Sequence, residues 1–555
     1  MTLAERVGQM TQVEIGSIGP EEAAARGIGS VLSGGGGNPG DGTAAAWRDA
    51  VAAFVEASHG SRTGIPLLYG VDAVHGHSNV RNATIFPHNV GLGATHDPDL
   101  VRRVARAAAL EAAATGVRWT FAPCLAVPGD PRWGRTYEGF GQDPALVAEL
   151  GRAAVEGWHG DDLVSDGVLA CPKHFVGEGA AVWGTAGRHR HPWIDWWDGW
   201  GDGWQIDQGD IRVDETELRR VHVAPFVAAL EAGALTDMAG YGSWHGHRLH
   251  AHHHLLTEVL KVELGFSGFV VSDWMAVHQL HPDLGVAVQM AVNAGIDMVM
   301  VPFEHERFVA TVLELVASGR ISVARIDDAV RRILLVKSRL GLLSGSHRPA
   351  PDLALVGCPA HRELARAAVR ASVVVLRGGE ALPVPAGASL LVAGEALDDV
   401  GISCGGWTIS WAGGPGRVTD GRTVLDGLRR LAGTDRVVYE REAGATGPSA
   451  SYGIVSVHEL PYAEGGGDRA DLSIPDAQIE LVRRVRARVD RLVVVVVSGR
   501  PLRIEPLAGL ADAVVACWLP GSEADGVAEV LLGRAPLTGR LPLVWDPGVD
   551  EEEDR

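Results

Sequence analysis

Gly268-Phe269-Val270-Val271-Ser272-Asp273-Trp274 is the stretch on which the fold turns. Phe269 to Val271 is apolar and β-favouring with no polar face, which predicts a strand buried on both sides. An acid and a large ring follow directly, where the backbone leaves a core yet stays rigidly held. Read alone, Asp273 caps the next helix. Similar junctions, an apolar strand running into a polar cluster, recur upstream, and that recurrence turns the reading towards a site.

From Met1 to about Leu343 strand and helix alternate. Strand candidates are Ile65–Val71, Trp119–Ala122, Val168–Cys171, Leu235–Ala239, Phe269–Val271 and Met298–Val301. Helical patterns such as Asp97–Thr115, Asp143–Trp158, Asp214–Ala232 and His305–Ser318 lie between them. Repeated βα units over this length predict a (β/α)8 TIM-like barrel for residues 1–343. The polar clusters fall after the strands, on the face where barrel active sites form.

Residues 344–359, rich in Gly, Pro and Ser, read as a linker. A second alternation follows over 360–548, with strands at Val373–Leu376, Leu390–Ala393, Val437–Glu440, Ile454–Val457, Leu492–Val497 and Ala513–Cys517. Five consecutive valines, Val493 to Val497, mark a strand covered on both faces, so this is an α/β sandwich of doubly wound type. The acidic tail 549–555 has nothing to pack with.

With 555 residues the chain exceeds one hydrophobic core. Its 46% hydrophobic and 21% charged residues describe an ordinary globular protein. The net charge of −20 and the lack of a basic stripe argue against a nucleic-acid partner. Cys124, Cys171, Cys358, Cys404 and Cys517 are scattered, with neither a disulfide framework nor zinc spacing. No apolar run is long enough to span a membrane. The start lacks a signal-peptide core, so the sequence as given reads as cytoplasmic, or as secreted or periplasmic if a leader was removed.

Several clusters carry polar chemistry. Asp72 follows a strand in Tyr69-Gly70-Val71-Asp72-Ala73-Val74-His75-Gly76, where a carboxylate can accept bonds from adjacent hydroxyls. Arg132 and Arg135 sit on the turn Asp130-Pro131-Arg132-Trp133-Gly134-Arg135, and Lys173 and His174 stand side by side. Met238-Ala239-Gly240-Tyr241 adds a phenol. Singly, each reads as a cap, a salt bridge or a core histidine. Together at one end of a barrel they predict a pocket for a polyhydroxylated ligand. The insertion 184–205 holds five tryptophans, which read either as a folded-back surface loop or as an aromatic wall beside a sugar. Around Trp244–His254 the histidines invite zinc, but no Cys or carboxylate completes a tetrahedral set.

These motifs in this order resemble the β-glucosidases and exo-glucanases of glycoside hydrolase family 3, over nearly the whole chain. Leu3–Met10, Gly70–Gly76, Ile85–Asn89, Asp130–Arg135, Lys173–Gly177, Ser272–Trp274, Gly405–Trp407 and Leu519–Glu523 carry the resemblance. It implies a retaining, exo-acting hydrolase that removes terminal β-glucosyl residues without metal or cofactor. It implies Asp273 as nucleophile, kept charged by Lys173, Arg135 and Tyr241. Asp72, Arg135, Lys173 and His174 would hold the terminal sugar, Tyr241 would contact the nucleophile, and Trp274 and Trp407 would sandwich the leaving group. For the acid/base, His458-Glu459-Leu460-Pro461-Tyr462-Ala463-Glu464 resembles Gly-Glu-x-Pro-Tyr-x-Glu, with Glu459 the match and Glu464 the alternative.

Gln208 stands where some relatives carry a sugar-binding acid, and Met275–His278 replaces the usual segment after the tryptophan. The alternatives are a β-N-acetylhexosaminidase or β-xylosidase of the same family, or an inactive sugar-binding protein. Against the hexosaminidase, Lys173-His174-Phe175-Val176-Gly177-Glu178-Gly179 lacks that branch's Pro-Gly-His-Gly and Asp-Ser-His. The expected partner is a small carbohydrate, with neither nucleic acid nor membrane; oligomeric state is not legible.

Overall fold

The computed structural model describes residues 1–35, 37–186, 204–344 and 350–545. Four of the insertion's tryptophans (Trp193, Trp196, Trp197, Trp200), linker residues 345–349 and the acidic tail lie outside them.

Eight short parallel strands form a ring. They are β1 (Thr11–Glu14), β2 (Ser30–Ser33), β3 (Leu68–Val71), β4 (Trp119–Thr120), β5 (Lys173–Phe175), β6 (Thr236–Ala239), β7 (Phe269–Val271) and β8 (Val299–Met300). Two ladders, β8-β1-β2-β3-β4 and β7-β6-β5, make it up. Parallel bridges from Trp119 to Leu169 and from Val271 to Met298 close it.

The sequence pattern passes over β1 and β2, because both carry polar side chains that satisfy one another inside the ring. Gln12 Nε2 donates to Ser30 Oγ at 2.8 Å, and Ser30 Oγ donates to the Leu68 carbonyl at 2.7 Å. The strand expected at Val168–Cys171 contributes a single bridge; Pro172 has no N–H to donate, and the ladder resumes at Lys173.

Helices Pro98–Ala114 and Pro144–His159 start as their Asp-Pro pairs predict: Asp97 and Asp143 accept first-turn N–H groups, and Pro occupies the first helical position. The stretch expected as one helix from Asp214 is broken instead. A wide π turn at Leu218–Val223 separates two α segments, just before Pro225 removes a donor from the ladder.

The second sheet comprises β9 (Val374–Arg377), β10 (Leu390–Ala393), β11 (Val437–Tyr439), β12 (Ala450–His458), β13 (Val489–Val497) and β14 (Ala513–Ala516). Its order is β9-β14-β13-β12-β10-β11, parallel except for β9. Val493, Val495 and Val497 pack into one core, Val494 and Val496 into another, so the valine run is covered on both faces. Strand order reverses between β10 and β12, the point where doubly wound sheets open a crevice beyond their strand ends. The loop leaving β12 runs from that crevice back to the mouth of the barrel.

Candidate active site

The ring delivers its polar side chains to one cavity of about 360 Å³. Asp72 follows β3, Lys173 and His174 belong to β5, and Asp273 lies two residues beyond β7. Strand ends suit this task, because the buried ladder fixes the backbone while the next residue is free to face the opening. Asp72, Arg135, Lys173, His174, Tyr241, Asp273, Trp274 and Trp407 all line the cavity, and so does Glu464. Leu32, Phe121 and Met238 form apolar parts of its wall.

The charges are arranged in linked pairs. Lys173 Nζ lies 3.1 Å from Asp72 Oδ1 and 5.3 Å from the centre of the Trp407 ring. Burial opposes its charge, but Asp72, Glu138 and Asp273 outweigh that and hold the ammonium above its ordinary pKa. Arg135, 1% exposed, donates through Nε and Nη2 to the two oxygens of Glu138 at 2.9 and 3.0 Å. Its Nη2 also meets His174 Nε2 at 3.0 Å, and its Nη1 lies 3.8 Å from Glu464 Oε1. His174 Nδ1 lies 2.7 Å from Glu178 Oε2. Burial, together with Arg135 and Lys173, pushes the His174 pKa far down, so the imidazole is neutral.

Asp273 is held from both sides of its own peptide. Its N–H donates to His250 Nε2 at 2.9 Å, and its Oδ1 accepts the Trp274 N–H at 2.7 Å. Oδ2 is buried without a hydrogen-bond partner, 3.6 Å from His174 Nε2. The sequence expectation that cations keep this acid charged needs correction. Burial pushes its carboxyl up to about 7, against Arg135, Lys173 and the Trp274 N–H. Tyr241 does not bond the carboxylate: its hydroxyl donates to the Trp274 carbonyl.

Glu459 is the expected site residue that the structure keeps out. It faces the crevice of the second sheet with Ser456, Tyr462 and Arg500. Arg500 Nε donates to its Oε1 at 3.0 Å and the Tyr462 hydroxyl to its Oε2 at 3.2 Å, and the side chain is 5% exposed. Five residues on, Glu464 turns through a left-handed φ of 49° into the barrel cavity. Burial, opposed by Arg135 and reinforced by Asp207 and Asp273, pushes its carboxyl well above the ordinary range.

Sequence reasoning missed Glu138, Glu178, His250 and Asp468. Arg135 and Glu138 sit three apart on one tight turn, Gly134–Glu138, a spacing that could have flagged the pair. His250 gave only the zinc signal of its histidine-rich neighbourhood. Among the described residues the one grouping with metal-ligand spacing is Glu22, His305 and Glu306. Arg26 already pairs with both of its carboxylates, and none of the three lines the cavity.

Residues 2–192 and 198–336 match the glycosyl hydrolase family 3 N terminal domain, and residues 373–554 the family's C-terminal domain. The chain belongs to glycosyl hydrolase family 3. It is 32% identical to a lysosomal beta glucosidase of Dictyostelium discoideum, over 99% of this chain and 71% of that protein. Among solved structures, an exo-1,3/1,4-beta-glucanase from a Pseudoalteromonas species is 37% identical with a TM-score of 0.89, covering 98% of this chain and 69% of that one. A beta-glucosidase from Listeria innocua, solved with glucose, is 27% identical with a TM-score of 0.83, over 99% and 75% of the two chains. The family 3 fold, a barrel followed by an α/β sandwich, is the architecture described above. Its members are glycoside hydrolases, and this chain is one. Relatives include a periplasmic and a lysosomal protein. No helix among the described residues is long and apolar enough to cross a membrane.

Proposed function

We propose that this chain is a retaining, exo-acting β-glucosidase that removes terminal β-D-glucosyl residues from β-glucosides or short β-glucans. One observation carries the reading: an acid with a bare, buried oxygen, Asp273, shares a sugar-sized cavity with a second acid, Glu464, whose carboxyl burial pushes well above its ordinary range. A double displacement needs two such carboxyl groups, one as nucleophile and one as acid/base. Asp273 Oδ2 attacks the anomeric carbon while protonated Glu464 gives its proton to the departing oxygen. Water then opens the glycosyl-enzyme, with Glu464 as base. Lys173 and the Trp274 N–H favour the ionised form of Asp273.

Asp72, Lys173, Arg135 and His174 would grip the hydroxyls of the terminal sugar. An apolar wall of Leu32, Phe121 and Met238 beneath them fits a cavity that takes one chain end and no more. Trp274 and Trp407 supply flat apolar faces for the leaving group. Assigning the acid/base to Glu464 departs from the motif match at Glu459, whose carboxylate is spent on Arg500.

The test is a panel of aryl β-glycosides: glucoside, xyloside, galactoside and N-acetylglucosaminide, with the first-formed anomer read by NMR. Release of β-glucose, lost in Asp273→Asn, is the expected result. Preference for the xyloside or N-acetylglucosaminide moves the chain to another specificity within the family. Sugar binding without turnover on any member of the panel would leave a recognition protein.

A further inference from the structure

Glu464 sits on a single tight turn, Glu464–Gly467, and Asp468 follows it with 3% exposure. Asp468 Oδ2 accepts three successive backbone N–H groups, from Gln205 at 3.0 Å and from Ile206 and Asp207 at 2.8 Å each. Its Oδ1 accepts the Gly134 N–H at 2.8 Å. All four donors belong to the barrel domain, whereas Asp468 belongs to the second. Gly134 is the residue before Arg135, and Asp207 the residue before Gln208, so both barrel segments border the cavity.

The surrounding backbone leaves no slack. A β-carbon on Gly134 would lie 2.2 Å from the Glu464 carbonyl oxygen, and one on Gly465 would lie 2.4 Å from the Trp204 ring. The Trp204 N–H donates to the Gly465 carbonyl at 2.8 Å. Arg469 N and Arg500 Nη1 both reach the Arg132 carbonyl, at 3.2 and 3.0 Å.

A carboxylate is the side chain that can accept four N–H bonds with two oxygens and no donor of its own. The nearby Asp207 accepts the Trp133 indole N–H on its Oδ1 at 3.0 Å, and its buried Oδ2 has no partner. Burial and the neighbouring Asp207 push the Asp468 carboxyl up to about 7, against the N–H groups that converge on it and favour its charged form.

We propose that Asp468 is a positioning residue for the reaction, fixing the turn that aims Glu464 into the cavity by clamping it to the Gly134 and Gln205–Asp207 segments. It touches neither substrate nor reacting atoms; it acts through Glu464. The inference rests on Glu464 being the acid/base.

The experiment measures kcat/KM for aryl β-glucosides graded by leaving-group acidity, from 2,4-dinitrophenyl to phenyl, in wild type, Asp468→Ala, Asp468→Asn and Glu464→Ala. A good leaving group departs with little protonic help, so losing an acid shows as a steeper dependence on leaving-group acidity. Asp468→Ala should lower kcat/KM for the phenyl glucoside about 100-fold more than for the dinitrophenyl glucoside, within the range an acid catalyst supplies. Asp468→Asn keeps one acceptor oxygen and should steepen the dependence less. A role in stability alone would depress all substrates by one factor, and an unchanged slope in Asp468→Ala beside a steepened slope in Glu464→Ala would overturn the proposal. A flat response in Glu464→Ala itself would instead remove the acid/base reading beneath it. If Asp468→Ala does not fold, the Asp468→Asn slope decides by the same comparison.

Discussion

Glu138 Oε1 accepts the indole N–H of Trp407 at 3.1 Å, across the boundary between the two domains. The same oxygen accepts Arg135 Nε, and its partner oxygen accepts Arg135 Nη2. One buried carboxylate therefore holds both a cation and a ring of the cavity wall. Although burial works against its charge, Arg135 holds the Glu138 carboxyl below its ordinary pKa.

Glu138→Gln removes the charge but keeps the shape. A charged hydrogen bond is worth about 1.5–3 kcal/mol, so kcat/KM for an aryl β-glucoside should fall roughly 10- to 100-fold. Because Arg135 and Trp407 both lose their common anchor, KM should rise along with the fall in kcat. Steady-state kinetics on the single variant read both terms, and an unchanged KM would show that the anchor does not bear on binding.

The acid limb of the pH–rate profile belongs to Asp273. Burial raises its carboxyl to about 7, so activity should fall as pH drops through that region and the nucleophile takes up a proton. Glu464, raised well above the ordinary range, sets the opposite limb by losing its proton. The two limbs report apparent values of the coupled pair. Lys173→Met removes a charge that favours ionised Asp273, so its acid limb should move to higher pH. A profile of kcat/KM against pH for the two proteins measures the shift, and movement to lower pH would contradict this electrostatic account.

Asp237 is fully buried on β6, and neither of its carboxyl oxygens has a hydrogen-bond partner. Burial pushes its pKa well above the ordinary value, so the folded chain keeps a proton that the unfolded chain releases above about 4. The sign follows: the stability contribution is full below the unfolded pKa and declines as pH rises towards the folded one. Asp237→Asn removes this dependence. Between pH 5 and 7 the stability difference should move in favour of the variant. Urea unfolding of both proteins at the two pH values checks it, and parallel curves would mean that Asp237 is ionised in the fold.

The barrel and the sandwich are legible in sequence because their central strands bury apolar side chains on both faces. Phe269–Val271 and Val493–Val497 announce themselves. Thr11–Glu14 and Ser30–Ser33 do not, since their polar groups pair with partners distant in sequence that no periodicity reveals. The cavity residues Asp72 and Asp273 follow the same logic: each sits just past the end of a buried strand, a position a sequence displays. Glu464 and Asp468 sit on a loop whose course depends on contacts with the other domain, and a local pattern cannot choose between Glu459 and Glu464. Three-dimensional closure brings Glu464 to the barrel cavity and leaves Glu459 at the crevice of the second sheet.

The two glutamates should accordingly fail in opposite ways. Glu459 is buried against Arg500, so Glu459→Gln strands a guanidinium that also holds the Arg132 and Gly467 carbonyls. Breaking a buried pair costs about 3–5 kcal/mol, and the melting temperature should fall while the dependence of rate on leaving-group acidity keeps its slope. Glu464→Ala removes an acid from the cavity, where burial and the neighbouring Asp207 and Asp273 disfavour its ionised form, so the melting temperature should hold or rise. Its turnover of substrates with good leaving groups should stall at the glycosyl-enzyme for want of a base. Azide, a small nucleophile that needs none, should restore release and yield the β-glycosyl azide. Calorimetry and azide rescue on the two variants separate the roles. Rescue of Glu459→Gln with none for Glu464→Ala would return the acid/base to the position the motif alone suggests.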